Sequence, residues 1–314
     1  MMNNTTINRS FLVRLSNMIK DSGLTAQALN KAMDSLKARA AELNKPGWLE
    51  YAMKFQAWVN CQAWGELPFA VLALGNSKLP FLAYSTLPGI NCPGAGTCWL
   101  FGLGFCYSVK AWRYPGGYLR QLQNTVLEAG PAGQAIIRTA IKEKLNEAEF
   151  TGRENIPFRL YVDGDFSSLE VLRFWMDTLK QFPQLQAYNY SKSLHLFQEL
   201  DQTGYNWPEN FVLNGSAGSI YDKTQTAAYV SKLAFFRGPF VPAQTSKATL
   251  KAWRQRKKGK LPKLPKFAGQ EIRAQFPGEK VFICPGNCGA CTAAGHACGN
   301  NTRFHNIKIV IPAH

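Results

Sequence analysis

The sequence of 314 residues predicts an α/β fold on a parallel sheet, open or curved into a partial or distorted β/α barrel. An N-terminal helical segment precedes the sheet, and a cysteine-rich metal-binding loop lies near the C-terminus. Three observations carry this reading. The apolar run Phe158–Val162 leads into Asp163, Gly164 and Asp165, then a helical pattern from Ser168 to Lys180, then a second run, Leu185–Tyr190. Strand, helix and strand within about thirty residues make a crossover unit, and a crossover joins parallel strands. Further short apolar runs at Asn210–Leu213, Lys280–Ile283 and Ile307–Ile311 are bounded by Gly, Pro or Asn, as buried strands are. The first sixty-odd residues differ in texture and read as helix.

In chain order, Phe11, Leu12, Leu15, Met18 and Ile19 recur at three-to-four spacing, as do Ala28, Leu29, Ala32, Met33 and Leu36. Ser22-Gly23 breaks the first run, Asn44–Gly47 ends the second, and a third helix is expected over Trp48–Trp64. The sequence therefore divides into a helical segment, 1–66, and an α/β body, 67–314. Within the body, Ser167 and Glu170 read as a capping box, and Leu172, Trp175, Met176 and Leu179 form the apolar face that follows. Residues 251–266 hold Lys251, Arg254, Arg256, Lys257, Lys258, Lys260, Lys263 and Lys266, two prolines and no acid. That stretch reads as an exposed mobile loop.

With 46% apolar and 12% aromatic residues the chain has the material of a packed core, which excludes a disordered class. Lys and Arg number 36 against 20 Asp and Glu, a net charge of +16. A field of that sign draws polyanions, so nucleic acid is the expected partner and residues 251–266 the expected contact. No apolar stretch is long enough for a membrane helix, and Met-Met-Asn-Asn-Thr-Thr carries no export pattern. The expected location is the cytoplasm.

Eight cysteines in a reducing compartment point to metal or to chemistry rather than to disulfides. Cys61 stands alone and reads as a small apolar residue on a buried helix face. Cys284, Cys288, Cys291 and Cys298 are separated by Gly, Pro and Asn, so one tight loop can wrap one soft metal centre. Zinc takes four such thiolates; a [4Fe–4S] cluster takes four, or three with one iron open. His296 and His305 could each replace a cysteine in a zinc site. Cys92, Cys98 and Cys106 form a looser group that suits a cluster with an open iron, or that joins the other four in one site. Asp163, Asp165, Lys192, Asn214, Ser216 and Cys284 follow strands, where ligands gather in parallel sheets. Among them Asp163, Asp165 and Lys192 are the candidate catalytic or substrate-positioning groups. Trp112, Arg113 and Tyr114 could add base stacking. No Walker loop, metalloprotease helix or esterase elbow is present.

The blocks Gly75–Lys78, Cys92-Pro-Gly-Ala-Gly-Thr-Cys98, Cys106-Tyr-Ser, Asp163-Gly-Asp-Phe166, Tyr190-Ser-Lys-Ser193 and Cys284-Pro-Gly-Asn-Cys288 resemble the phage and plasmid proteins of the gene product 88 family. The resemblance covers roughly residues 70–314 and implies a mobile-element protein of a bacterial cell. A strand followed by spaced cysteines ending at Cys106-Tyr107 is also similar to the start of radical-SAM barrels. Those barrels separate their cysteines by three and then two residues; here the gaps are five and seven. S-adenosylmethionine as cosubstrate is what that second resemblance implies. The leading expectation is an iron–sulfur protein that acts on or beside nucleic acid. Its alternatives are a zinc-stapled, non-enzymatic nucleic-acid binder and a factor directed at a host protein, countering a defence or a competing element.

Overall fold

The computed structural model describes residues 6–61, 66–75, 79–99, 106, 108–289, 291 and 296–312. The chain divides into two compact units. The first comprises Met1–Ala73, Tyr84–Thr151 and Tyr161–Phe174; the second comprises Leu74–Ala83, Gly152–Leu160 and Trp175–His314.

In the first unit, helices α1 (Arg9–Asp21), α2 (Ala26–Glu42) and α3 (Pro46–Asn60) follow the apolar spacing. Asn8 and Thr25 cap the first two by accepting from Phe11 N (2.9 Å) and Ala28 N (3.2 Å). Proline opens α3, where its missing N–H costs nothing. The helix ends at Asn60, and residues 62–65, where it was expected to continue, lie outside the described residues. Cys61 is exposed just beyond the last turn, not buried on a face, because Trp58 takes the inward position.

Helices α4 (Pro115–Glu128) and α5 (Pro131–Leu145) were not legible in the sequence; each begins with proline beside glycine, which reads as a break. α4 buries an unusual polar row, three members of which satisfy loop backbone. Gln123 clamps the backbone of Phe69 at both N (3.0 Å) and O (2.9 Å). Asn124 Nδ2 donates to Val71 O and Ser85 O, and Thr125 Oγ1 accepts from Leu87 N (2.9 Å). Buried loop backbone needs partners, and these side chains supply them.

Tyr84, Tyr118 and Tyr161 are buried in this unit, and burial pushes their hydroxyl pKa values up. Stability is therefore fully present below the unfolded value of about 10 and is lost as pH rises beyond it, by roughly 1 kcal/mol per pH unit for each tyrosine. Urea midpoints measured from pH 8 to 11 should fall steeply only above about 10. A flat profile there would contradict the buried placement.

The second unit is a seven-stranded sheet, all pairs parallel, in the order β1-β2-β3-β4-β5-β7-β6. The strands are β1 (Leu82–Ala83), β2 (Ile156–Arg159), β3 (Leu185–Ser191), β4 (Phe211–Ser216), β5 (Phe236–Ala243), β6 (Val281–Ile283) and β7 (Lys308–Pro312). The sheet is open, with β1 and β6 at its edges. α6 (Leu169–Gln181), α7 (Leu194–Gln202) and α8 (Gln225–Val230) connect successive strands up to β5, and α9 (Lys247–Lys257) with α10 (Lys266–Arg273) leads to β6. From β1 to β6 the chain advances in one direction; the step from β6 to β7 runs backwards. Right-handed crossovers then put that last connection on the opposite face from the earlier helices. The connection is the cysteine-rich segment, which continues through a 3-10 turn, Ala297–Gly299, packed on β3 and β4, and α11 (Asn301–Phe304). Trp175 of α6 meets Phe158 on the other face, with ring centroids 6.0 Å apart.

Three local expectations are corrected, and one strand is added. β2 stops at Arg159 rather than Val162, because Tyr161 adopts a left-handed backbone (φ 57°) that no strand continues through. The cap of α6 is Ser168, whose Oγ accepts from Val171 N (3.3 Å), not Ser167. β5 had no signal, since Gly238, Pro239 and Pro242 read as breakers; β4 meets it through a register shift between Leu213 and Asn214. Residues 251–257 are the second half of α9, not a loop. Ser246 caps that helix, and Thr249, Ala252 and Trp253 bury one face of it, so spacing overrode the density of charge.

Candidate metal centre

The face crossed by the β6–β7 connection is set by alternation along the strands. Arg159 of β2 pairs in register with Tyr188 of β3, and Tyr190 with Asn214 of β4, so these four side chains share one face. The Arg159 guanidinium lies 4.1 Å from the Tyr190 ring centre and 5.3 Å from that of Tyr188. Arg237 of β5 is fully buried; its Nε donates to Asn214 Oδ1 (2.6 Å), Nη2 to Gly238 O (3.0 Å), and Nη1 to Ile307 O. Asn214, so held, donates from Nδ2 to the carbonyl of Cys298 (2.9 Å). Cys298 is 8% exposed and packs in a core with Phe81, Tyr188, Ala297, Phe304 and Ile309.

Cys284, Cys288 and Cys291 pack against that same core. Gly286 N donates to Cys284 Sγ (3.4 Å) and Ala297 N to Cys291 Sγ (3.3 Å), the kind of bond that favours thiolate sulfur. Burial pushes the Cys284 thiol up to about 12, with neighbouring Cys298 adding to the rise. Cys298 is pushed up to about 11 by burial, against the pull of a Tyr190 hydrogen bond and of Arg237 and Arg159. Burial raises Cys288, while Arg159 and Lys257 pull it down. Cys284, Cys288 and Cys298 thus feel neighbouring thiols; Arg159 acts on Cys288 and Cys298, and Arg237 on Cys298.

His296 joins the group: its ring lies 4.6 Å from Tyr188 and 4.7 Å from Phe81, and its Nδ1 accepts from Gly299 N (3.1 Å). Burial and then Arg159 hold its pKa down at about 4, so the ring stays neutral. His305 is exposed and 3.2 Å from Asn301 Oδ1. Among the described residues no group of three or more His, Cys, Asp or Glu side chains is arranged to hold a metal ion.

The other predicted residues fall in both units. Lys192 Nζ bonds Ser216 Oγ in the second unit; Lys192 follows β3 and Cys284 follows β6, whereas Asn214 and Ser216, expected after a strand, lie within β4. Asp163 and Asp165 belong to the first unit. There Asp163 Oδ2 accepts from Gln121 Nε2 (2.9 Å), and Asp165 is buried with Oδ1 accepting from Phe166 N (2.9 Å). Cys92, Cys98 and Cys106 are also in the first unit; Cys106 N donates to Cys98 O (2.9 Å), and Cys98 is buried. Residues 100–105 and 107, within that group, and Asn76–Lys78 lie outside the described residues. Trp112 is buried and donates to Gln121 (2.9 Å), while Arg113 stacks on exposed Tyr114 at 4.8 Å. Lys251, Arg254, Lys258, Lys260, Lys263 and Lys266 are exposed; Arg256 and Lys257 are half-buried.

Arg159, Arg237, Tyr188 and Tyr190 were missed by sequence reasoning. The available signal was an arginine inside each of two apolar strands, a charge that burial tolerates only beside a partner.

An open, all-parallel sheet with connecting helices and a cysteine-rich segment before its last strand defines an α/β protein. The profile described as gene product 88 matches residues 36–296, and the chain belongs to that family. No curated protein and no solved structure matches it, and the resemblance to radical-SAM barrels finds no support. Among the described residues no helix is long and apolar enough to cross a membrane.

Proposed function

We propose that this gene product 88 protein carries a soft-metal centre on Cys284, Cys288, Cys291 and Cys298, an iron–sulfur cluster, and works on or beside nucleic acid. The observation that carries the reading is that Cys284, Cys288 and Cys291 pack against the core patch that holds Cys298, near Arg159 and Arg237; as placed among the described residues the four form no group able to hold a metal ion, so binding would draw the thiols of the loop together. The donor set is four soft sulfurs, two of them already accepting backbone N–H bonds. Four thiolates around a cluster or a zinc ion leave net negative charge, which two buried guanidiniums offset. When bound, a cluster supplies electron transfer or an iron site for a ligand, tuned by hydrogen bonds to sulfur and by burial. The protein's part is to exclude water with Phe81 and Tyr188, to hold Cys298 through Asn214, and to balance charge.

The nucleic-acid half of the proposal rests on the +16 charge and on the basic residues 251–266. Phosphate contacts of this kind make affinity fall with salt by about one log unit per log unit of salt for each phosphate engaged.

Protein purified without oxygen is expected to show broad absorbance near ~400 nm with about four irons and matching sulfide per chain. One colourless zinc per chain would replace the cluster by a zinc staple on the same thiols. Protein with neither metal sinks the proposal.

A further inference from the structure

The strip of basic charge and the cysteine loop are joined by direct contacts within the second unit. The N-terminal end of α9 is held by α10: Glu271 accepts from the amide and hydroxyl of Ser246 and from Thr249 Oγ1. Its C-terminal half rests on the cysteine loop. Trp253 Nε1 donates to Cys284 O (2.7 Å), and Asn287 Nδ2 donates to Lys257 O (2.9 Å). The second bond caps a carbonyl in the last turn of the helix. Gly286 has φ +88°, and a Cβ there would lie 2.7 Å from the Trp253 ring and 2.9 Å from the Lys257 side chain, so the loop touches α9 closely. Lys257 in turn lies 5.2 Å from the centre of the Trp253 ring.

All three contacts, the Cys284 carbonyl, Gly286 and Asn287, lie between or at Cys284 and Cys288. Drawing those two thiols onto one centre fixes the backbone of 285–287, and that backbone is the platform under the C-terminal half of α9. The chain leaves this platform through Gly259 (φ +73°) into Lys260, Lys263 and Lys266. The path of the basic strip is therefore set where the loop holds the helix. Trp253, the aromatic ring in the strip, is 2% exposed, so it is unavailable for stacking on bases. What α9 offers outward is cationic, which suits phosphates and carries no base readout.

We propose that α9 and the loop Cys284–Cys288 form one metal-responsive clamp for the phosphate backbone of nucleic acid, in which occupancy of the thiols sets the affinity of the basic strip. This rests on the metal reading above and adds its regulation. Because coupling is reciprocal, nucleic acid must tighten metal binding by the same factor that metal tightens nucleic acid.

The test uses the full chain, reconstituted anaerobically with iron and sulfide or loaded with zinc alone, and the same protein stripped by chelator. Metal content is measured on every sample. Binding to a short mixed-sequence duplex DNA and to its RNA equivalent is followed as a function of salt. Loaded protein is expected to bind about tenfold more tightly than stripped protein, within the usual range for coupled sites. Trp253→Phe, which stays aromatic but loses the N–H and the part of the ring on Gly286, and Asn287→Ala should load metal normally while most of that difference disappears. Chelator competition with and without DNA should show the reciprocal gain. Equal or weaker binding by loaded protein overturns the clamp and leaves the metal centre standing. Failure of the wild-type chain to take up metal overturns both, and the metal analysis tells the two failures apart.

Discussion

A chain carrying serine at both Cys284 and Cys298 is expected to lose more than about a hundredfold in metal affinity and to elute from a sizing column without metal. These two thiols are chosen for their place. Cys284 ends β6, with its amide bonded to Val310 O (2.8 Å), and Cys298 sits in the 3-10 turn packed against β3 and β4. Serine offers a hard oxygen whose proton is not released near neutral pH, so shape is preserved while the ligand is lost. Circular dichroism should stay near the wild-type curve. Cys61→Ser is the matching control, since Cys61 is exposed at the end of α3 in the first unit and should leave metal content unchanged. Full loading of the double-serine chain would remove the C-terminal thiols from the centre.

The largest stability effect is expected in the first unit, at Glu128. Its side chain is fully buried; its oxygens accept from Tyr161 Oη (2.8 Å), Tyr84 Oη (3.2 Å) and Asn91 Nδ2. Tyr84 Oη is also within hydrogen-bond distance of Asn124 O (3.0 Å). Glu128→Ala leaves these donors facing a cavity, each at a cost of about 1–3 kcal/mol, so a total loss of roughly 3–5 kcal/mol is expected. Glu128→Gln keeps the volume and one acceptor oxygen, and the tyrosine hydroxyls can rotate, so the loss should shrink to about 1–2 kcal/mol. Urea unfolding with an unchanged slope reads both. An alanine variant within about 0.5 kcal/mol of wild type would mean the network does not hold this unit together.

The legible parts of the fold were those in which a period survives burial. Leu12, Leu15 and Ile19 on α1, and Leu172, Trp175, Met176 and Leu179 on α6, repeat every three or four residues and are inside, as expected. The parallel sheet was legible from one strand–helix–strand unit. β5 was not, because two prolines and Gly238 occupy a strand that pairs across a register shift. The second half of α9 reads as a loop from its charge density, and burial of Thr249, Ala252 and Trp253 makes it a helix. The four C-terminal cysteines were legible as a local group, since they lie within fifteen residues of one another. The arginines beside them were not, because a strand residue reveals its face only through its neighbours.

The sequence by itself determined the α/β class, the helical N-terminal segment, the strong positive charge and the clustering of thiols, all of which are properties of composition or of short-range spacing. Tertiary structure alone decided which groups meet. The backward step from β6 to β7 carries the cysteine segment across one face of the sheet, so Cys298 comes beneath Tyr190 and Arg237, residues remote in sequence. The same packing seats Trp253 on the Cys284 carbonyl and joins the basic strip to the thiol loop. Spacing along a chain cannot encode that meeting, because it depends on strand order and on the hand of each crossover, which are set by burial of the whole sheet.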